Sequence, residues 1–361
     1  MLRLLNQIKI NFVTQSKSRA MSGLEKSVDE FTEVHVKGVI HPVDITNMPQ
    51  MEAKEMEEQY DAEALRKASY IEFLCSKKME LAKRIHGTKY KDDFISKWKR
   101  FTNDRFSNLR RSDHPFNSGD STALVRYCRS YRPPANGKPG RLRCVNSLQD
   151  IFRPVRNRLI EHTCEDFDQQ CAAGAGALFV ARHVGAKLNC LNALMVNPTA
   201  WKAAMQGEGY TKRAVKDALV IIWSCDPKDP KMRSFAKKIG RRFRDYEDLY
   251  EEVQALKLLA FKHADLQWAL EHIHDNDNRV GRFFLLVLTT IESACTNTVV
   301  NFAVQHFGWK IMAIVHDGFN PMVKLNQQDQ AYYCGVFHAI CEALFPGLNL
   351  KWCVKPFDFM M

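Results

Sequence analysis

Two aspartate-bearing segments are the residues best placed to do chemistry. Asp166 lies in the acidic run Glu165–Asp166–Phe167–Asp168, and Asp317 follows the apolar run 310–316 and precedes Gly318. An apolar run that ends in Asp-Gly is typical of a strand and a tight turn. Nucleotidyl transfer often uses two divalent ions about 3.5–4 Å apart, held by such carboxylates. We therefore expect Asp166 and Asp317 to meet on adjoining strands and to bind two Mg²⁺ ions, with Mn²⁺ as a substitute. Taken singly, each pattern also fits a solvated turn or a plain hairpin.

A predicted helix at 210–222 lies between the two acids. Lys212, Lys216, Val220 and Ser224 recur every four residues, so they share one helix face, and Arg213 lies on the adjacent face. Two lysines one turn apart suit the phosphates of a nucleoside triphosphate. The alternative is an ordinary basic amphipathic helix.

Positive charge is concentrated in one part of the chain. The formal net charge is +11, yet residues 83–158 alone hold 19 Lys/Arg against 6 Asp and no Glu, a local excess of +13. A basic field with interleaved aromatic residues favours a phosphate backbone, so nucleic acid is the expected partner. A solvated face or a basic tail would give the same excess.

Composition also bears on the compartment. The eleven cysteines are scattered and form no C-x-x-C pair, a pattern typical of an intracellular, reducing environment. Residues 1–20 contain four basic residues and no acid, which resembles a mitochondrial presequence or a disordered leader. No run of 18 apolar residues occurs, so we expect no membrane partner. Mitochondrial, nuclear and virus-encoded origins all remain open.

The elements that must position these residues predict the α+β class. Helical periodicity runs over 48–84, and the Pro- and Gly-rich stretch 131–140 is the clearest linker. We therefore expect a leader at 1–20, a helical basic module at 21–135 and a core at 136–361.

The order of these features is similar to a known family. An acidic strand, a helix with basic residues four apart and a strand ending in His-Asp resemble motifs A, B and C of the family A DNA polymerases. The closest likeness is to the polymerases of virophage-like and transposon-like elements. It rests on Gly140–Arg141–Leu142, Ser147–Leu148–Gln149, Asp166–Phe167–Asp168, Thr290–Ile291–Glu292 and Val315–His316–Asp317–Gly318–Phe319, across about residues 138–325.

The resemblance implies a right-hand polymerase palm, with a fingers helix and the N-terminal module acting as a thumb-like clasp on a primer–template duplex. Asp166, Asp317 and the Phe167 carbonyl would bind the metals, and His316 would contact the primer end. Lys212, Lys216, Arg213 and Ser224 would bind the nucleoside triphosphate, with Lys216 as a general acid. Arg141, Arg153, Arg156 and Glu292 would contact nucleic acid.

Some positions depart from the family pattern. Ser224–Cys225 stands where motif B usually has Tyr-Gly, and Gly318 stands where many relatives have Glu. The resemblance therefore implies a polymerase, with a catalytically degenerate nucleic-acid-binding protein and a metal-dependent nuclease as alternatives. No proofreading exonuclease is expected.

Overall fold

The computed structural model describes the chain in segments, the longest of which hold the core. The described residues are 27–31, 35–48, 54–61, 124–132, 141–144, 147–150, 153–273, 277–315 and 317–357. The helices are α1 Arg153–Ile160, α2 Ala172–His183, α3 Asn189–Val196, α4 Pro198–Gly207, α5 Lys212–Ser224, α6 Pro230–Gly240, α7 Arg244–Lys262, α8 Arg279–Phe307 and α9 Gln327–Leu344. The strands are β1 Lys54–Asp61, β2 Leu124–Tyr131, β3 Phe167–Gln170, β4 Ile311–Val315, β5 Gly318–Pro321 and β6 Lys351–Val354, and short 3₁₀ helices span Ile45–Asn47, Leu148–Asp150 and Ala264–His272. The α+β class is confirmed.

A four-stranded antiparallel sheet joins the segments that carry the acids. Its strand order is β4-β5-β3-β6, so β3 lies between β5 and β6. The Phe167 ring of β3 stacks on Phe319 at 5.6 Å and meets Phe337 of α9 at 5.1 Å. Because side chains alternate along a strand, Asp166 and Asp168 are directed to the opposite face of the sheet.

Helix α8 is the longest element and passes through the core. It follows Asn278 and ends at Gly308, whose φ of 66° is the left-handed conformation that favours glycine. Its length and a mean hydropathy of 1.5 would suit a membrane span, but 78% of that window is buried inside the protein. Such burial is typical of a core helix.

Pairing of β1 with β2 corrects one sequence expectation. A helix was expected over 48–84, and this is wrong for Lys54–Asp61, which pairs antiparallel with Leu124–Tyr131 along all eight residues. Pairing between segments distant in sequence is a tertiary effect that local periodicity does not encode. The 21–135 module therefore contains a two-stranded sheet, while most of its basic residues and the 1–20 leader lie outside the described residues.

Candidate active site

The β4–β5 hairpin brings Asp317 next to β3. Asp168 lies opposite Gly318 in the antiparallel register, and the Gln169 amide donates to the Asp317 carbonyl at 3.1 Å. A Cβ on Gly318 would stand 2.2 Å from the Phe167 carbonyl oxygen, so only glycine lets the strands approach this closely. The two acidic segments thus lie on adjoining strands.

The strand register distinguishes Asp166, just before β3, from Asp168 within it. Asp168 faces Gly318, and its Oδ1 is 3.1 Å from the position that a Cβ there would take. Asp166 lies two residues back, about 7 Å farther from the turn, and its Oδ1 accepts from Asn320 Nδ2 at 3.1 Å. Sequence reasoning singled out Asp166, and the strand register adds Asp168 as a second acid beside the turn.

The acids lie in a buried and partly neutralised setting. Asp166 and Asp168 are 9% and 8% exposed, and Lys355 Nζ forms an ion pair with Asp168. Burial raises the pKa of the Cys353 thiol, and the charges of Asp166 and Asp317 raise it further. The Asp166 and Asp317 carboxylates therefore both lie within electrostatic range of the Cys353 thiol.

Arg141 and Glu292, both expected to contact nucleic acid, contact each other. Arg141 Nε and Nη2 donate to the two Glu292 carboxylate oxygens at 2.5 and 2.8 Å. The Glu292 side chain is 7% exposed, and burial raises its pKa although the Arg141 guanidinium acts to lower it. The Asp317 charge acts on both groups, so this ion pair belongs to the electrostatic environment of the hairpin.

Gln149 holds the Arg141 segment against the sheet. Its amide nitrogen donates to the Leu142 carbonyl at 3.1 Å and to the Ile314 carbonyl of β4 at 3.2 Å, and its oxygen accepts from the Cys144 amide. Ser147 adds a hydrogen bond to the Cys144 carbonyl. The Ser-Leu-Gln motif therefore has a structural use, which is to fix Arg141 beside α8.

Three other residues were predicted to contact nucleic acid: Arg153, Arg156 and His316. Arg156 is buried at 8% exposure, so it does not lie on an open surface. The Arg153 side chain and the whole of His316 lie outside the described residues. Their phosphate and primer roles stay predictions.

Helix α5 carries the predicted nucleotide-binding residues. It begins after Thr211, whose Oγ1 accepts from the Ala214 amide at 3.1 Å. Lys212 and Lys216 are exposed, whereas Ser224 is half-buried and donates to the Val220 carbonyl. Arg213 pairs with Asp217 at 3.6 Å, but both side chains are well exposed and the contact is weak. The helix is confirmed, and its lysine face is open to a ligand.

Helix α8 links α5 to the sheet. A Cβ on Gly281 would come within 2.3 Å of the Ser224 carbonyl, so α8 packs tightly on the end of α5. Gln169 of β3 donates to the Glu292 carbonyl at 3.0 Å and to Thr296 Oγ1 at 2.8 Å. The two contacts are about 16 Å apart along α8, at 1.5 Å per residue.

A different set of ligands lies away from the hairpin. In the part of the chain that the structure describes, His183, His263 and Asp265 bring three ligand atoms within 4.8 Å of one another, an arrangement that could hold a metal ion. The sequence pattern did not predict this cluster, because His183 lies far along the chain from His263 and Asp265 and the three residues match no spacing motif.

Neither a scan against family models nor a search of curated proteins gives a match to this chain.

Proposed function

We propose that this protein is a template-directed nucleotidyltransferase, a DNA polymerase like those of family A, which extends a primer on a polymerase palm. The observation that carries the proposal is the pairing of Asp168 with Gly318, which aligns a buried acid with the turn that holds Asp317. A strand carrying acids beside an Asp-tipped hairpin supplies carboxylates from two adjoining segments, as two-metal nucleotidyl transfer needs.

The oxygen donors at the hairpin fit a hard cation. Magnesium takes oxygen ligands and keeps several waters, so two carboxylates and a carbonyl suffice. Asp168 and Asp317 offer the carboxylates, and the Phe167 carbonyl is directed towards Gly318. Among the described residues, the buried Asn320 Oδ1 beside Asp166 has no hydrogen-bond partner, which leaves an acceptor available to a cation or water. Two Mg²⁺ ions held there would activate a primer hydroxyl and neutralise charge at the α-phosphate.

The other residues would bind and orient the substrates. Lys212 and Lys216 present ammonium groups one turn apart to the triphosphate, with Lys216 as the candidate proton donor to pyrophosphate. Arg213 and Ser224 flank them on α5. The Arg141–Glu292 ion pair holds a guanidinium beside α8, where it is 34% exposed and accessible to a nucleic-acid strand. Catalysis of this kind depends on positioning and electrostatics.

One observation favours a second candidate, a nucleic-acid-binding protein on the same scaffold that does not catalyse. Lys355 already neutralises Asp168. If that ammonium is not displaced, the site keeps its shape and binds no cation through Asp168.

Primer extension with labelled nucleotides on DNA and RNA templates, with Mg²⁺ or Mn²⁺, tests the proposal. We expect extension by the wild type and a loss of at least about 100-fold in Asp317→Asn and Asp168→Asn, the order typical of lost transition-state stabilisation. Asp166→Asn should lose less, because Asp166 is farther from the turn. Asp248→Asn is the control, since this acid lies on α7 and pairs with Arg244.

Other results of the primer-extension experiment would favour a different function or a different acid. Salt-sensitive DNA binding without incorporation would refute catalysis and support the binding protein. Degradation of the substrate without added nucleotides would indicate a nuclease. A larger loss in Asp166→Asn than in Asp168→Asn would overturn the assignment taken from the strand register.

A further inference from the structure

The end of α2 and the segment that follows α7 bring three potential metal ligands to one point. His183 is the last residue of α2, His263 follows the last residue of α7, and Asp265 lies in the 3₁₀ helix Ala264–His272. Asp265 Oδ2 is 2.9 Å from His183 Nε2 and 3.8 Å from His263 Nδ1. The two imidazole rings meet edge to face, with centroids 5.2 Å apart.

These separations fit a tetrahedral ion. Zinc bound at about 2.0–2.1 Å to nitrogen and oxygen requires neighbouring ligand atoms about 3.3 Å apart. The two measured distances lie on either side of that value. Both pairs of atoms are therefore close to the separation that one shared ion requires.

One ligand atom lacks any other partner. Among the described residues, His263 Nδ1 is buried and makes no hydrogen bond. A buried polar nitrogen left unsatisfied costs free energy, and a bound ion would remove that cost. The side chains of His183, His263 and Asp265 are 25%, 33% and 41% exposed, so an ion can enter and keep a water ligand.

The electrostatics at this point also favour a cation. The carboxyl ends of α2 and α7 both terminate here, and the carbonyl groups of a helix end attract positive charge. Asp44 adds a second carboxylate within electrostatic range of His183. The segment that carries Asp44 is held in place by a hydrogen bond from Trp268 Nε1 to the Ile45 carbonyl at 2.8 Å.

From this geometry we propose that His183, His263 and Asp265 bind one zinc ion, which links the end of α2 to the end of α7. Imidazole nitrogen with one carboxylate is a ligand set that suits zinc, whereas magnesium prefers oxygen alone. Helix α2 directly follows β3, so the ion would brace the strand that carries the hairpin-facing acids against the helical half of the core. The site is separate from the hairpin and does not depend on the proposed polymerase activity.

The test is a zinc titration of the full chain against a chromophoric chelator. Asp317→Asn is used as the parent protein, so that the hairpin contributes little zinc binding. We expect one zinc ion per chain, a loss of at least 100-fold in affinity in His183→Gln and in His263→Gln, and a thermal midpoint that zinc raises only in the parent. Cobalt in place of zinc should give visible absorption bands of a four-coordinate site in the parent alone.

Two further variants keep the result interpretable. His162→Gln is the matched control, because its side chain is 78% exposed and lies outside the cluster. Asp265→Asn removes a ligand with almost no change in volume, and circular dichroism shows whether each variant is folded. The proposal is overturned if the parent binds zinc no more tightly than His183→Gln and Asp265→Asn do, in which case the cluster is a His–Asp hydrogen bond only. It is equally overturned if His162→Gln loses zinc to the same extent.

Discussion

Replacing Arg141 by Met tests the electrostatics beside the hairpin most directly. The change removes both hydrogen bonds to the Glu292 carboxylate, at 2.5 and 2.8 Å, and leaves that carboxylate buried. Removing one partner of a buried ion pair costs about 3–5 kcal/mol. Because the Arg141 side chain is 34% exposed, water shares in the interaction, and we expect about 2–3 kcal/mol of the free energy of unfolding to be lost at pH 8.

The unfolding free energy lost in Arg141→Met should increase with pH. Burial already raises the pKa of Glu292, and Arg141 opposes that rise, so the variant has a still higher folded-state pKa. A carboxyl group whose folded-state pKa exceeds its unfolded value binds more protons in the folded state. Its destabilising effect is therefore absent at low pH, grows as pH rises from the unfolded-state pKa to the folded-state pKa, and is complete above that value. We expect Arg141→Met to cost less at pH 5 than at pH 8.

Urea unfolding at both pH values measures this, with Arg143→Met as the control. Arg143 is exposed, and its backbone pairs with the backbone of Arg132. The double variant Arg141→Met/Glu292→Gln should recover most of the stability, because no buried charge remains. A loss below about 0.5 kcal/mol, the level of an ordinary surface change, or an equal loss at pH 5 and pH 8 would refute the reasoning.

Two more predictions concern close packing and a buried ammonium group. Gly318→Ala should lower the unfolding free energy by about 3 kcal/mol or more, because its Cβ would meet the Phe167 carbonyl at 2.2 Å. The control in the same urea experiment is Gly207→Ala, whose Cβ would meet no atom within 4 Å, and it should leave the unfolding free energy unchanged. Lys257 is fully buried and donates to the Cys225 carbonyl at 2.7 Å, and burial lowers its pKa to about 8. Between pH 8 and the ordinary lysine pKa near 10.4, the unfolded chain therefore binds more protons than the folded protein. As pH rises across that range, the free energy of unfolding of the wild type should increase by up to about 3 kcal/mol relative to that of Lys257→Met. Equal pH profiles for the two proteins would contradict this.

Local signals predicted the elements whose formation depends on neighbouring residues. Helix α5 follows a Thr N-cap and has lysines on its exposed face, as the four-residue spacing predicted. Strand β4 was predicted from its apolar, β-branched run. Bounds were less accurate, because helix α5 was predicted at 210–222 and is Lys212–Ser224.

The sequence by itself identified the residues on which the proposed chemistry rests, since acids at strand ends and a basic helix face are visible in the order of the residues. Tertiary structure alone decided which groups meet. Strand register put Asp168, rather than Asp166, opposite Gly318. Helix packing paired Arg141 with Glu292 and brought His183 to His263 and Asp265. Register and packing depend on contacts between residues far apart in the chain, and no local spacing records them.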